Sequence, residues 1–155
     1  MSTIELDELD HRILEQLQRD ADLNNQQLAD SVHASPPTCL RRVRRLKQLG
    51  VISRTVALLN PEVLGSRLTA IVEITLDRQS AEALAEFEQW VTPEAAILQC
   101  YRVSPGPDFV LMLEVADMAA YHALAHRLFA AAANVRNVRA FFATHTAKCE
   151  PGRRI

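Results

Sequence analysis

Apolar residues recur every three or four positions in the first third of the chain, whereas the second half also contains short runs rich in apolar and β-branched residues. The first pattern predicts amphipathic helices, and the second predicts strands. The first helix is expected to begin after Asp7, a residue type that favours the N-cap. Its apolar side carries Leu9, Ile13, Leu14 and Leu17.

A second, short helix is predicted over residues 25–32 by the capping-box pair Asn24 and Gln27. The turn that follows it is His33-Ala34. Helix-turn-helix motifs often have glycine at the place of His33, because glycine reaches the left-handed conformation more easily.

The third helix is expected to start with Ser35 as N-cap and Pro36 at its first position, where the missing amide proton has no helical partner. Gly50 is expected to end it. The two helices and their turn predict a helix-turn-helix motif at about residues 25–44.

The second half of the chain predicts strand, helix, strand, strand, helix and strand in that order. Strands are expected at residues 69–76, 96–103, 109–115 and 135–146, and helices are expected after Ser80 and Asp117. This β-α-β-β-α-β order is that of a ferredoxin-like unit.

Between the two halves, a short strand is predicted over residues 53–59, and residues 62–67 are the expected linker. We therefore expect an α+β protein with a DNA-binding domain at residues 1–61 and a second domain at residues 68–155.

The formal net charge of −2 hides an uneven distribution. Residues 1–30 carry eight acidic and two basic residues, whereas residues 31–60 carry six basic residues and no acidic one. The six are Arg41, Arg42, Arg44, Arg45, Lys47 and Arg54. A concentrated basic segment matters for phosphate binding, because charges are screened over about 10 Å at ordinary salt.

The third helix has an apolar face and an opposite cationic face at about 100° per residue. Cys39, Val43 and Leu46 share the apolar face. A cationic helix fits the major groove, where arginine pairs with guanine. The expected base contacts are Pro37, Thr38 and Arg41, and the expected phosphate contacts are Arg42, Arg44, Arg45, Arg54 and the hydroxyl of Ser35. The alternative is a solvated basic face that docks on the acidic first thirty residues.

Other classes of function find little support in the sequence. No apolar run is long enough for a membrane span, and the acidic N-terminus shows no export signal, so we expect a cytoplasmic protein with three reduced cysteines. His122 and His126 have metal-ligand spacing but no further ligand at matching spacing, so no metal or other cofactor is expected. No catalytic motif is present, so no enzymatic activity is expected.

Taken together, the sequence resembles the Lrp/AsnC family, the feast/famine regulators, over nearly its whole length. The residues that carry the resemblance are Leu6-Asp7, Leu9-Asp10, Ile13-Leu14, Leu17-Gln18, Leu28-Ala29, Ser35-Pro36, Thr38-Cys39-Leu40, Arg42-Val43-Arg44-Arg45-Leu46, Gly50-Val51-Ile52, Ala57-Leu58-Leu59-Asn60-Pro61, Val72-Glu73-Ile74, Val103-Ser104, Asp108 and Asp117-Met118.

The resemblance implies a winged helix-turn-helix that binds double-stranded DNA, followed by a ferredoxin-like sensor domain. It also implies homodimers formed through the sheets, which often assemble into octamers of four dimers, and an amino-acid effector at interfaces between dimers. The effector-binding residues that it implies are Ser104, Gly106, Asp108, Met118, Phe141, Phe142 and Ala143.

One loop departs from the family pattern. Many relatives have a Gly-Asp pair after the Val-Ser, whereas this chain has Pro105-Gly106-Pro107 before Asp108. The prolines remove two amide donors that a ligand carboxylate could use. The loop could instead be a rigid hairpin at an oligomer interface.

Two further alternatives stay open from the sequence. One is a sirohaem decarboxylase-like enzyme, since such enzymes resemble this family in both domains. The other is an architectural DNA-binding protein without a ligand response.

Overall fold

The computed structural model describes residues 4–65, 67–150 and 152, which form two compact units. The first unit contains the described residues up to Leu58 together with those from Lys148 onward. The second unit contains the described residues from Leu59 to Ala147.

The first unit is built on three helices, α1 (Glu8–Arg19), α2 (Asn25–Ser31) and α3 (Pro36–Gln48). Capping boxes start the first two, because the side chains of Asp7 and Asn24 each accept a hydrogen bond from the backbone three residues on. The starts predicted for all three helices are confirmed. Ser35 precedes α3 but makes no side-chain cap, since its hydroxyl donates to Thr38 Oγ1 at 2.8 Å.

A small apolar core joins the three helices. Its buried members are Ile13, Leu14, Leu28, Ala29, Val32, Cys39 and Leu46. The turn between α2 and α3 requires a left-handed residue, and His33 supplies it with a φ of 54°. The close packing of the core therefore depends on a turn that histidine adopts at some cost relative to glycine.

The segment after α3 does not form the predicted strand. Residues 53–60 belong to no helix or strand, and the side chains of Val56, Leu58 and Leu59 are largely exposed. The prediction was wrong because local composition alone does not make a strand, whose backbone also needs a hydrogen-bonding neighbour. A short helix, α4 (Pro61–Leu64), occupies part of the predicted linker.

The second unit is a four-stranded antiparallel sheet with helices on one face. Its elements are β1 (Leu68–Leu76), α5 (Ala81–Val91), β2 (Ile97–Arg102), β3 (Phe109–Val115), α6 (Met118–Ala125), a π-helical turn (His126–Ala130) and β4 (Val135–Phe142). The strand order is β2-β3-β1-β4, so the β-α-β-β-α-β prediction is confirmed. The last strand ends at Phe142 rather than Thr146, because pairing with β1 stops near Ala70.

The two faces of this sheet differ. Alternate residues of β1 and β3 are buried against α5 and α6, and the other residues of these strands point to the opposite face. On that opposite face, Ile71 of β1 lies directly across from Phe141 of β4, and both remain partly exposed. One sheet face is thus covered by helices of the same chain, while no described helix covers the other.

Among the described residues, no helix is both long enough and apolar enough to cross a bilayer.

Candidate DNA-binding surface and effector-site residues

The surface of α3 that faces away from the core carries Pro37, Arg41, Arg44 and Gln48, all of them exposed. These residues recur at intervals of three and four, so they form one stripe along the helix. Cys39 and Leu46 lie on the opposite side and are fully buried. We call the four exposed residues the outer stripe of α3.

The arginines of this stripe have no competing partner among the residues that the structure describes. Within the part of the chain that the structure describes, the side chains of Arg41 and Arg44 form neither an ion pair nor a hydrogen bond, and the same holds for Arg54 after the helix. A guanidinium group without an intramolecular partner is free to meet a base edge or a phosphate.

Arg42 and Arg45 lie beside the outer stripe and are engaged by α1. Arg42 Nη1 lies 2.6 Å from Asp7 Oδ2 and 3.2 Å from Asp10 Oδ2. Arg45 Nη1 lies 2.9 Å from the same Asp10 oxygen. We call Asp7 and Asp10 with these two arginines the α1–α3 ion cluster. The structure therefore divides the predicted DNA-binding arginines into an engaged pair and a free set.

The carboxylate of Asp7 in this cluster is held in its charged form. The pKa of Asp7 is lowered, first because its carboxylate accepts a hydrogen bond from the backbone amide of Asp10 and then because Arg42 lies beside it. The pKa of Arg42 is raised, with the hydrogen bond to Asp7 as the largest cause. Both partners thus stay ionised over the ordinary pH range.

Asp7 and Asp10 were not among the functional residues predicted from the sequence. The available signal was the opposite charge of residues 1–30 and 31–60, which admitted docking of the basic helix on the acidic segment. Among the described residues, that docking occurs for Arg42 and Arg45 only.

Three of the effector residues that the resemblance implies belong to the loop between β2 and β3, at one end of the sheet. Ser104 and Gly106 are exposed there, and Gly106 has a φ of 123°. Asp108 is half-buried, and its Oδ2 accepts hydrogen bonds from the amide of Leu76 at 2.7 Å and from Gln79 Nε2 at 3.2 Å. Its own amide donates to the carbonyl of Ile74. Asp108 therefore fastens the loop to the end of β1.

The remaining effector residues lie at the opposite end. Met118 begins α6 and is exposed, and Ala143 donates its amide hydrogen to the carbonyl of Thr69 at the start of β1. Phe141 is exposed on the uncovered face, whereas Phe142 packs edge-on against Tyr121.

The two groups of effector residues are therefore not brought together within one chain. Asp108 directly precedes β3, and Met118 follows its end by three residues. The seven residues of β3 separate them by roughly 20 Å at the usual rise of a strand.

The histidine pair of α6 and its π-helical turn is exposed, and His122 contacts the ring of Tyr121 edge-on. Among the described residues, no group of three or more histidine, cysteine or acidic side chains is placed to hold a metal ion.

Comparison with known proteins extends these observations over the whole chain. A winged helix-turn-helix DNA-binding model matches residues 6–53, and a model described as the Lrp/AsnC ligand binding domain matches residues 69–152. A leucine-responsive regulatory protein of Haemophilus influenzae is 44% identical over 77% of this chain and 72% of its own length. An uncharacterized HTH-type transcriptional regulator of the same organism is 33% identical over 95% of this chain and 88% of its own.

Solved structures give the same picture. An AsnC family transcriptional regulator from Agrobacterium tumefaciens has a TM-score of 0.89 and 34% identity, over 96% of this chain and 97% of that one. A transcriptional regulator from Neisseria meningitidis, solved in complex with L-Met, has a TM-score of 0.87 and 27% identity over 95% of both chains. Because both units match in sequence and in structure, the chain belongs to the Lrp/AsnC family of DNA-binding transcriptional regulators.

Proposed function

We propose that α3 is the recognition helix of a sequence-specific regulator and that Pro37, Thr38 and Arg41 read base edges in the major groove. The observation that carries this proposal is the outer stripe of α3, an exposed face with two arginines that have no partner among the described residues. The N-terminal half of a recognition helix meets the bases in helix-turn-helix proteins. Arginine there can donate two hydrogen bonds to a guanine.

In this proposal, other basic residues of the DNA-binding unit contact the phosphates of the DNA backbone. Arg44 and Arg54 are exposed and unengaged within the described chain, which supports a role at phosphates. Arg42 and Arg45 are already engaged by carboxylates in the α1–α3 ion cluster, which would compete with any phosphate for them. The hydroxyl of Ser35 is exposed, although it now donates to Thr38.

Substitution of Arg41 tests the reading of bases. The probes are a duplex selected from a random library with the unmodified protein and a random-sequence duplex of equal length. We expect Arg41→Ala to weaken binding to the selected duplex by about 1–3 kcal/mol and to weaken binding to random DNA less. Fluorescence anisotropy at one fixed salt concentration measures both.

Arg12→Ala is the matched control, because Arg12 is an exposed arginine on α1, away from the outer stripe. It is expected to change neither affinity beyond a small electrostatic effect. Equal losses by Arg41→Ala on the two duplexes would refute a base-reading role.

We propose further that the sensor unit, from about residue 68, assembles the chain into dimers and that four dimers can form an octamer. The uncovered face of the sheet supports this, since Ile71, Tyr101 and Phe141 leave apolar surface exposed there. A dimer would hold two recognition helices about one turn of DNA apart, or a multiple of it.

The proposed effector is an amino acid, supported by the L-Met complex of the related Neisseria meningitidis regulator. Because the two groups of effector residues are separated by the length of β3, a complete site needs the loop of one chain and the α6–β4 end of another. Effector binding would then favour one assembly over another and change the spacing of the recognition helices.

Thermal unfolding with each of the twenty amino acids tests this site. A ligand at one hundred times its dissociation constant should stabilise the protein by about 2.7 kcal/mol. The fluorescence of Trp90, the only tryptophan, follows the sensor unit. Uniform melting with all twenty would contradict an amino-acid effector and favour a DNA-binding protein without a ligand response.

A further inference from the structure

The arginines of α3 lie on two adjacent stripes. Arg41 and Arg44 belong to the outer stripe. Arg42 directly follows the first of them, and Arg45 directly follows the second. Successive residues of a helix are about 100° apart, so the second pair faces sideways from the first. The sideways direction leads to α1, where both arginines meet carboxylates.

Breaking this contact between α3 and α1 would cost free energy, because it would leave the buried carboxylate of Asp10 without its charged partners. Asp10 is the one charged residue that is fully buried among the described residues, and its single carboxylate accepts from both guanidinium groups. An ionised carboxylate is costly to remove from water unless it is paired and hydrogen-bonded. The two arginines meet that requirement, since no buried side-chain polar atom of the described chain lacks a partner.

The carboxylates are themselves fixed to the backbone of α1. Asp10 donates its amide hydrogen to Asp7 Oδ1 at 2.9 Å, and Asp7 donates its amide hydrogen to Asp10 Oδ2 at 3.3 Å. The capping box therefore holds both carboxylates in place at the start of the helix. Three ion pairs to these fixed carboxylates then act with the buried core residues of α3 to set how the helix is rotated about its own axis.

We propose that Asp7 and Asp10 are positioning residues for DNA recognition, which hold Arg42 and Arg45 so that α3 presents Arg41 and Arg44 to the DNA. Arg42 and Arg45 then contribute no phosphate contact. This inference rests on the proposed function of α3 as the recognition helix. It separates the arginines that read DNA from those that orient the helix, although all four are adjacent in sequence.

The salt dependence of DNA binding distinguishes the two kinds of arginine. Each phosphate neutralised by a cation contributes about −0.9 to the slope of log affinity against log salt concentration on duplex DNA. An arginine that stays in the α1–α3 ion cluster contributes nothing to that slope, whereas one that binds a phosphate does.

The test compares Arg42→Gln with Arg44→Gln in the full chain, on the selected and the random duplex described above. Arg44→Gln should flatten the slope by about 0.9 and weaken binding to both duplexes by similar factors, because phosphate contacts carry no sequence information. Arg42→Gln should leave the slope unchanged and lower the ratio of selected to random affinity by about tenfold, because base contacts are misplaced.

Loss of fold alone gives a different result. A variant that is partly unfolded loses active protein, which lowers both apparent affinities equally and leaves their ratio unchanged. A constant ratio for Arg42→Gln would therefore overturn the positioning role, and a slope flattened as much as in Arg44→Gln would show that Arg42 contacts phosphate. If Arg44→Gln and Arg41→Ala both leave DNA binding intact, the proposed function itself fails.

Asp7→Asn provides a second arm that is expected to fold, because asparagine is as good an N-cap as aspartate. Glu8→Gln is its control, since Glu8 is the next residue and forms no ion pair within the described chain. Arg42 retains Asp10 in Asp7→Asn, so the slope should equal that of the control. A slope steeper than the control by about 0.9 would mean that Asp7 competes with DNA for Arg42, and would overturn the inference.

Discussion

Asp10 in the DNA-binding unit and Asp108 in the sensor unit both have at least partly buried carboxylates, but the partners of these carboxylates differ in charge. Asp10 is paired with two guanidinium groups. Asp108 accepts hydrogen bonds from a backbone amide and from the side-chain amide of Gln79, both of which are neutral. The first carboxylate is therefore balanced in charge, and the second is only hydrogen-bonded.

This difference indicates different uses for the two residues. A carboxylate balanced by two cations offers little to a further ligand and serves to fix α3 against α1. The half-buried carboxylate of Asp108 has neutral partners and forms no ion pair among the described residues, so it is available to a cation such as the ammonium group of an amino acid. The comparison thus supports a structural role for Asp10 and leaves Asp108 able to combine a structural role with a binding one.

The comparison predicts unequal costs when each carboxylate is removed. Asp10→Ala removes the hydrogen bonds that this carboxylate accepts from two guanidinium groups and from the amide of Asp7, and should lower the free energy of unfolding of the DNA-binding unit by about 3 kcal/mol or more. Asp108→Ala leaves the amide of Leu76 unpaired and should cost the sensor unit about 1–3 kcal/mol. Hydrogen exchange of α1 and α3 follows the first unit, and Trp90 fluorescence during urea unfolding follows the second.

Each variant serves as the control of the other, because the two changes remove the same group from different units. Trp90 should report little change in Asp10→Ala, and exchange in α1 should change little in Asp108→Ala. A larger loss from Asp108→Ala than from Asp10→Ala would break the comparison, since charge balance would then not set the cost.

Much of the local structure could be predicted from the sequence, because the start of a helix is determined by residues that are close together in the chain. Asp7, Asn24, Ser80 and Asp117 each cap the helix predicted to follow them. Each cap involves a backbone amide only three residues away, so the pattern is visible in a short window. The left-handed turn at His33 was likewise anticipated from its place in the motif.

Features that depend on distant residues were less accessible. Arg42 and Arg45 meet Asp10 across 32 and 35 residues, and no spacing rule connects such positions. The composition of residues 53–59 predicted a strand, but a strand forms only beside a hydrogen-bonding neighbour, which this segment lacks among the described residues. The effector residues were inferred by resemblance as one set, and only the antiparallel order of the strands reveals that β3 separates them.

The smallest expected effect concerns Asp7, the exposed acid of the α1–α3 ion cluster. Its titration should make the stability of the DNA-binding unit depend on pH. The pKa of Asp7 is lowered by the amide of Asp10 and by Arg42, so ionised Asp7 stabilises the folded state above the ordinary pKa of an aspartate. That stabilisation is lost as the pH falls through the lowered value. The loss must be judged against a variant, because other carboxylates titrate in the same range.

Asp7→Asn is the suitable variant, since it keeps the helix cap and removes only the titrating group. The unfolding midpoint of the unmodified protein should exceed that of Asp7→Asn at pH 7, and the gap should narrow as the pH is lowered below about 4. A gap that stays constant down to pH 2 would mean that the ion pair with Arg42 contributes nothing to stability. The anchor of α3 would then be Asp10 alone, and the sharp contrast with Asp108 would depend on a single buried carboxylate rather than on the pair.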